Sequence, residues 1–164
     1  GVTAIENNTF DGCQNLNTVV LPSTLKKIGD NAFSGCQNIH QIKIPAGITY
    51  ISNTSFNGVD TSKIGLKISI GKTKLKSAKK SGKKKIKLKW SKVKNATGYA
   101  IYRSTKKTKG YKKIKTIKGN KKFTYTDGKK LKRGKTYYYK IKVCRKVAGG
   151  TFYSSYSNMK KIKR

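Results

Sequence analysis

The side chains that could perform chemistry are few and dispersed. Acid–base catalysis needs two carboxylates, or a carboxylate and an imidazole, held within reach of one reacting group. The chain has five acids, Glu6, Asp11, Asp30, Asp60 and Asp127, and one imidazole, His40, and none of them falls in a catalytic motif. Gly71-Lys72-Thr73 has the ending of a phosphate-binding loop, but that motif requires a glycine five residues before Gly71, where Leu66 stands. The segment reads as a linker instead. Cys13, Cys36 and Cys144 are an odd number and contain no Cys-x-x-Cys pair, so neither a zinc site nor a disulfide framework follows. No catalytic, cofactor or metal site is expected.

Cationic chemistry is abundant by contrast. Forty Lys and Arg against five acids give a net charge of +35, unevenly distributed. Residues 1–70 hold five lysines and four acids, which leaves 35 basic residues against Asp127 alone in residues 71–164. A step that abrupt predicts a domain boundary, with residues 1–70 and 71–164 as separate domains. Such a charge suits attachment to a polyanion through counter-ion release. It equally suits a solvated surface that keeps strand edges from pairing with other chains. Arginine, the residue that reads base edges with a planar fork, occurs only at Arg103, Arg133, Arg145 and Arg164, so specific nucleic-acid recognition is not expected. No apolar run approaches the roughly 18 residues of a membrane span, and no segment has the form of a signal peptide. Because the chain starts at Gly1, an export signal is expected upstream.

The elements that must position these residues begin with a repeat. Val2, Leu25 and Ile48 fall at one position of it, followed in register by Ile5, Ile28 and Ile51, by Phe10, Phe33 and Phe56, and by Gly12, Gly35 and Gly58. The period is 23 residues. A solenoid explains the pattern, since one turn cannot bury its own apolar face and needs a neighbour to cover it. A short helical or 3₁₀ turn is expected around each Phe, the Gly forms a corner, and alternating strands end at Pro22 and Pro45. The third unit drifts, with Val59 and Ser62 at the Cys and Leu positions, before Leu66, Ile68 and Ile70 resume alternation. Cys13 and Cys36 are one turn apart and are expected to be buried free thiols, because stacked side chains run parallel instead of pointing at each other. The segment Ile28-Gly29-Asp30-Asn31-Ala32-Phe33-Ser34-Gly35-Cys36-Gln37-Asn38-Ile39 resembles the BspA-like leucine-rich repeats of bacterial surface proteins. That resemblance implies a stack of parallel strands used for adhesion or protein contact, with more repeats upstream to cover Val2 and Ile5.

Residues 71–164 are patterned like a folded domain and unlike a solvating tail. Ile86, Leu88 and Trp90 alternate with Lys87 and Lys89, which is a strand with one face buried. The same alternation recurs at Tyr99–Tyr102, Phe123–Tyr125 and Tyr137–Val143, separated by glycine-containing turns, and predicts a β-sandwich. On this parity Cys144 falls on the outer face as an exposed thiol. Trp90 followed by Gly98-Tyr99-Ala100-Ile101-Tyr102, and Leu131-Lys132-Arg133-Gly134-Lys135-Thr136-Tyr137, resemble fibronectin type III strands and the tyrosine corner of that family. The resemblance implies a core Trp, a Tyr hydroxyl bonded to backbone near the Leu, and a spacer or binding role. The fold class is therefore mainly β: a short leucine-rich-repeat solenoid plus a fibronectin type III-like, immunoglobulin-like β-sandwich.

Two surfaces are candidate sites. On the solenoid, Asn17, Thr18, Val20, His40, Gln41 and Lys43 are expected to line a partner-contacting strand face, the partner being a host or bacterial surface protein. On the sandwich, Lys87, Lys89, Lys140 and Lys142 point outward and are candidates for contact with an anionic glycan or other polyanion. Carbohydrate stacking on Tyr138, Tyr153 or Tyr156 is the alternative. The expected role is a non-catalytic, secreted or cell-surface adhesion or protein-interaction module.

Overall fold

A computed structural model describes residues 1–61, 67–147 and 150–164. Ser62, Leu66 and the Ala148-Gly149 part of the last expected turn lie outside the described residues. The described chain forms strands and turns without a helix. It divides into two units, one of Gly1–Ser69 with Lys146–Phe152 and one of Ile70–Arg145 with Tyr153–Arg164.

The first unit is built on two parallel ladders. One joins β1 (Ala4–Ile5), β3 (Lys27–Ile28) and β5 (Tyr50–Ile51); the other joins β2 (Thr18–Val19), β4 (Gln41–Ile44) and β6 (Lys67–Ile68). Register follows the repeat: Ile5 pairs with Ile28 and Ile28 with Ile51, and Val19 pairs with Ile42. The last step differs, since Ile44 pairs with Ile68. That step spans 24 residues instead of 23. Phe10, Phe33 and Phe56 stack with centroids 5.3 Å apart at each step, above a core of Leu25, Ile28, Ile39, Ile42, Ile44 and Ile48.

The turn around each Phe is not helical. Asp11 N–H bonds to Asn8 O and Cys13 N–H to Phe10 O, but Phe10 N–H donates to Ala32 O at 2.9 Å and the intervening Gly12 N–H to Ser34 O at 2.8 Å, both in the next repeat. Phe33 N–H likewise donates to Ser55 O at 2.8 Å. Left-handed backbone at Asn8, Gly12, Asn31 and Gly35 interrupts any helical run, and the freed donors bind the neighbouring turn. The corner glycines Gly12, Gly35 and Gly58 all have φ near 70°, a conformation that a side chain would strain.

The second unit is an antiparallel sandwich. Its smaller sheet orders β11 (Thr124–Asp127), β8 (Ile86–Trp90) and β7 (Leu75–Lys80). The larger orders β10 (Lys112–Lys118), β9 (Gly98–Ser104) and β12 (Thr136–Val147), with β14 (Lys160–Lys163) also on β12; next to β12 in the order comes β13 (Gly150–Tyr153), most of which belongs to the first unit. Leu75, Ile86, Leu88 and Trp90 pack against Tyr99, Ile101, Tyr137, Tyr139, Ile141 and Val143. Trp90 lies 5.4 Å from the Tyr99 ring. The tyrosine corner is formed: Lys132 N–H donates to Tyr137 Oη at 2.8 Å. Val93 N–H makes the equivalent bond to Tyr99 Oη at 2.9 Å.

Burial holds the Tyr99 and Tyr139 phenols above their ordinary 10.0, and at Tyr139 the hydrogen bond to Asp127 adds to it. A phenol raised in the folded state ionises at lower pH in the unfolded chain. The stability it supplies is therefore complete below about pH 10 and lost as pH rises beyond it. Alkaline titration should show exposed tyrosines ionising first and these two only as Trp90 fluorescence reports unfolding. If all phenolate absorbance develops before unfolding, burial does not protect them.

Candidate functional site

Four of the six solenoid candidates are assembled by the second ladder. Thr18, Val20, Gln41 and Lys43 line a groove of about 620 Å³ together with Val19 and Leu21. Spacing explains this, because 18 and 41 pair in register in the ladder, and 20 and 43 are the same one period apart just beyond β2. Val20 is 89% exposed at the rim, an unusual position for valine. Asn17 and His40 are also exposed but outside the groove lining. His40 lies one residue before β4, not inside it, where its N–H donates to Asn17 O at 2.9 Å.

The four lysine candidates do not form one site. Lys87 and Lys89 lie exposed on β8 in the smaller sheet, while Lys140 and Lys142 are half-buried on β12 in the larger. Alternation placed all four outward but could not show that the two pairs occupy different sheets. On β8 the lysine surface is open, with Lys87 directly opposite Lys79 of β7. On β12 the ammonium groups lie over rings: Lys140 Nζ is 4.4 Å from the Tyr111 centroid and Lys142 Nζ 4.6 Å from that of Tyr156. Tyr156 also meets the edge of Tyr102 at 5.1 Å. Each such cation–π contact at an exposed site is worth about 0.5–1 kcal/mol. These lysines therefore cover the face of Tyr156 that a neutral sugar would need. Among the three tyrosines of the carbohydrate alternative, Tyr153 is the most open, at 41% exposure.

The cysteines correct two expectations. Cys144 has the outward parity expected of it but is buried, not exposed, because on this central strand its thiol lies against the Ala100 backbone of β9 and near the side chains of Tyr102 and Lys113. Burial raises its thiol pKa. Cys36 is buried as expected, and its Sγ donates to Phe10 O at 2.9 Å. Cys13, expected to be buried, is exposed, because no repeat turn among the described residues covers it. All three are free. A colorimetric thiol reagent should thus modify Cys13 rapidly in the native chain and reach Cys36 and Cys144 only after denaturant is added. Rapid reaction of Cys144 in a Cys13→Ser variant would show the packing around it to be wrong.

Among the described residues no group of three or more His, Cys, Asp or Glu side chains could hold a metal ion. No helix of the described residues is long and apolar enough to cross a membrane. The sequence did not single out a second concavity, in the sandwich, lined by Lys112, Lys130, Lys132 and Lys135, because these residues come from β10 and from the loop between β11 and β12.

The profile of the BspA type leucine rich repeat region matches residues 3–128 in six copies. The chain belongs to that family. BspA-type repeats are typical of bacterial surface or secreted proteins, and leucine-rich repeats and fibronectin type III-like domains are typically non-catalytic. The match continues beyond the parallel ladders into residues that fold as antiparallel sandwich strands. No curated protein matches the chain. Among solved structures, a fibronectin type III-like protein from Clostridium thermocellum is 28% identical, over 49% of this chain and 81% of its own, with a TM-score of 0.40. A fibronectin type III domain of human collagen XX is 10% identical over 57% of this chain and 93% of its own, with a TM-score of 0.42. Pectate lyase Pel3 from Pectobacterium carotovorum is 22% identical over 57% of this chain, with a TM-score of 0.46, and the chain spans only 27% of its length. At such TM-scores none of these likenesses bears on activity.

Proposed function

We propose that this BspA-type chain is a non-catalytic extracellular adhesion module, in which the solenoid contacts a surface protein and the sandwich acts as a spacer or touches an anionic polymer. The groove formed on the β2–β4–β6 ladder by Thr18, Val20, Gln41 and Lys43 carries the first part of this reading. It combines an exposed apolar rim residue with polar side chains repeated at a fixed spacing, a surface that suits a protein partner. Beads coated with the chain should adhere to epithelial or bacterial cells in about 0.5 M salt, where the Debye length is only about 4 Å and polyanion attachment is suppressed. Adhesion should fall when Val20→Glu is introduced or when the cells are treated with protease. Unchanged adhesion in both arms would remove the solenoid from the reading.

The second part is supported by the placement of 35 basic residues in residues 71–164. Polyanion contact of this kind should collapse as salt is raised. Stacking of neutral sugars on Tyr153 should survive it. A glycan array read at several salt concentrations separates the two, and absence of binding throughout leaves the sandwich as a spacer.

A further inference from the structure

The lysines of the sandwich are not equivalent. About half lie on strands and the rest in turns and loops, and among them Lys112, Lys130, Lys132 and Lys135 line a concavity of about 450 Å³ beside the tyrosine corner, with Arg103 and Tyr137. No carboxylate lines it. The nearby Asp127 is buried and already accepts from Arg103 Nη1 and Tyr139 Oη, both at 2.8 Å, so its charge is matched inside the protein.

The loop presenting Lys130, Lys132 and Lys135 is fixed at several points. Arg103 Nη1 donates to Lys129 O at 2.8 Å and Lys132 N–H to Tyr137 Oη. Gly134 N–H donates to Arg164 O at 2.7 Å, and Arg164 N–H returns a bond to Lys135 O at 2.8 Å. A second observation singles out the same loop. Among the described residues four that are not glycine have left-handed backbone; Asn8, Asn31 and Asn95 are of the type that tolerates it, and the fourth is Lys130, at φ 54°. A lysine there sacrifices stability that glycine or asparagine would retain, a pattern associated with functional positions.

We propose that this concavity is a phosphate site, taking the phosphate groups of a phosphodiester-linked polymer without aromatic bases. The proposal rests on the reading of the sandwich as a polyanion-contacting unit and gives that reading a location. Ammonium groups are point charges with rotatable donors and suit a tetrahedral phosphate, whereas a planar carboxylate favours the arginine fork. The one guanidinium here, Arg103, is committed to Asp127 and Lys129 O. Base stacking has no platform, because the only ring in the lining, Tyr137, is buried and covered by the Arg103 guanidinium 5.4 Å from its centroid.

The test is calorimetric titration of the whole chain with poly(glycerol phosphate), with hyaluronate as a carboxylate polymer, and with single-stranded poly(dT). The triple variant Lys112→Gln, Lys132→Gln, Lys135→Gln should weaken poly(glycerol phosphate) binding about tenfold or more. An equal loss of charge on the open sheet, Lys79→Gln, Lys87→Gln, Lys89→Gln, should change it by less than about threefold. Lys130→Gly should weaken binding while leaving the melting temperature equal or higher, which excludes misfolding as the cause. Equal losses in the two triple variants would overturn the site while leaving diffuse polyanion contact standing. Hyaluronate binding as tightly as the phosphate polymer would overturn the phosphate assignment, and tighter binding of poly(dT) would overturn the absence of bases. No binding of any polyanion by the unaltered chain would remove this proposal and the reading beneath it together.

Discussion

Asp127→Ala should destabilise the sandwich by about 3–5 kcal/mol, the range found when one partner of a buried ion pair is removed. Asp127, the last residue of β11, is 1% exposed and is the only acid in residues 71–164. Its Oδ2 accepts from Arg103 Nη1 and from Tyr139 Oη at 2.8 Å each, and its Oδ1 accepts from Lys129 N–H at 3.2 Å. Burial works against the Arg103 charge, but the hydrogen bond and charge of Asp127 outweigh it and hold the guanidinium above its usual pKa. Alanine would remove the carboxylate and leave both a mostly buried cation and a buried phenol without their acceptor. Urea unfolding followed by Trp90 fluorescence measures the loss, since Trp90 is the only Trp and lies in this core. The double variant Arg103→Met, Asp127→Leu should recover a large part of it, because it removes charge from both sides at once. If Asp127→Ala costs less than about 1 kcal/mol, the pair behaves as a surface pair and its burial is wrong.

That network shows where the sequence stops being legible. Arg103, Asp127 and Tyr139 lie on three different strands, and alternation assigns each residue to a face without saying which strands become neighbours. Features with a fixed local spacing were readable, the 23-residue repeat of Phe10, Phe33 and Phe56 and the buried face of the strand ending at Trp90, whereas the hydrogen bond between Lys132 and Tyr137 was implied by the fibronectin type III resemblance. Cys144 shows the limit from the other direction, since outward parity implies exposure only where neighbouring strands leave the position open. The helical turn expected around each Phe failed for a related reason. Its backbone donors have better partners in the next repeat, and those partners exist only once the turns have stacked. The candidate sites divide on the same principle. Thr18, Val20, Gln41 and Lys43 come together because the repeat itself specifies their stacking, whereas the lysines of the concavity are gathered by the folding of a loop onto β10.

Stacking also sets the largest effect expected in the solenoid. Phe33→Ala should cost about 3–5 kcal/mol, the loss typical of emptying a buried phenylalanine site. Phe33 is fully buried and has a ring on each side, Phe10 at 5.3 Å with planes 16° apart and Phe56 at 5.3 Å with planes 10° apart. Truncation removes two aromatic contacts, each worth about 0.5–1.5 kcal/mol beyond area burial. In a repeat array each turn is stabilised by its neighbours, so a cavity in the middle turn weakens the interfaces on both sides. Phe10→Ala should cost less, because Phe10 is only half-buried and contacts one ring of the stack. Hydrogen exchange at the strand amides of Ile28 and Ile51 distinguishes the two variants. Phe33→Ala should accelerate exchange at both, whereas Phe10→Ala should act mainly on Ile28, the nearer turn. Equal effects of the two substitutions would show that the stack does not transmit stability from turn to turn, and the solenoid would then have to be treated as separately stabilised loops.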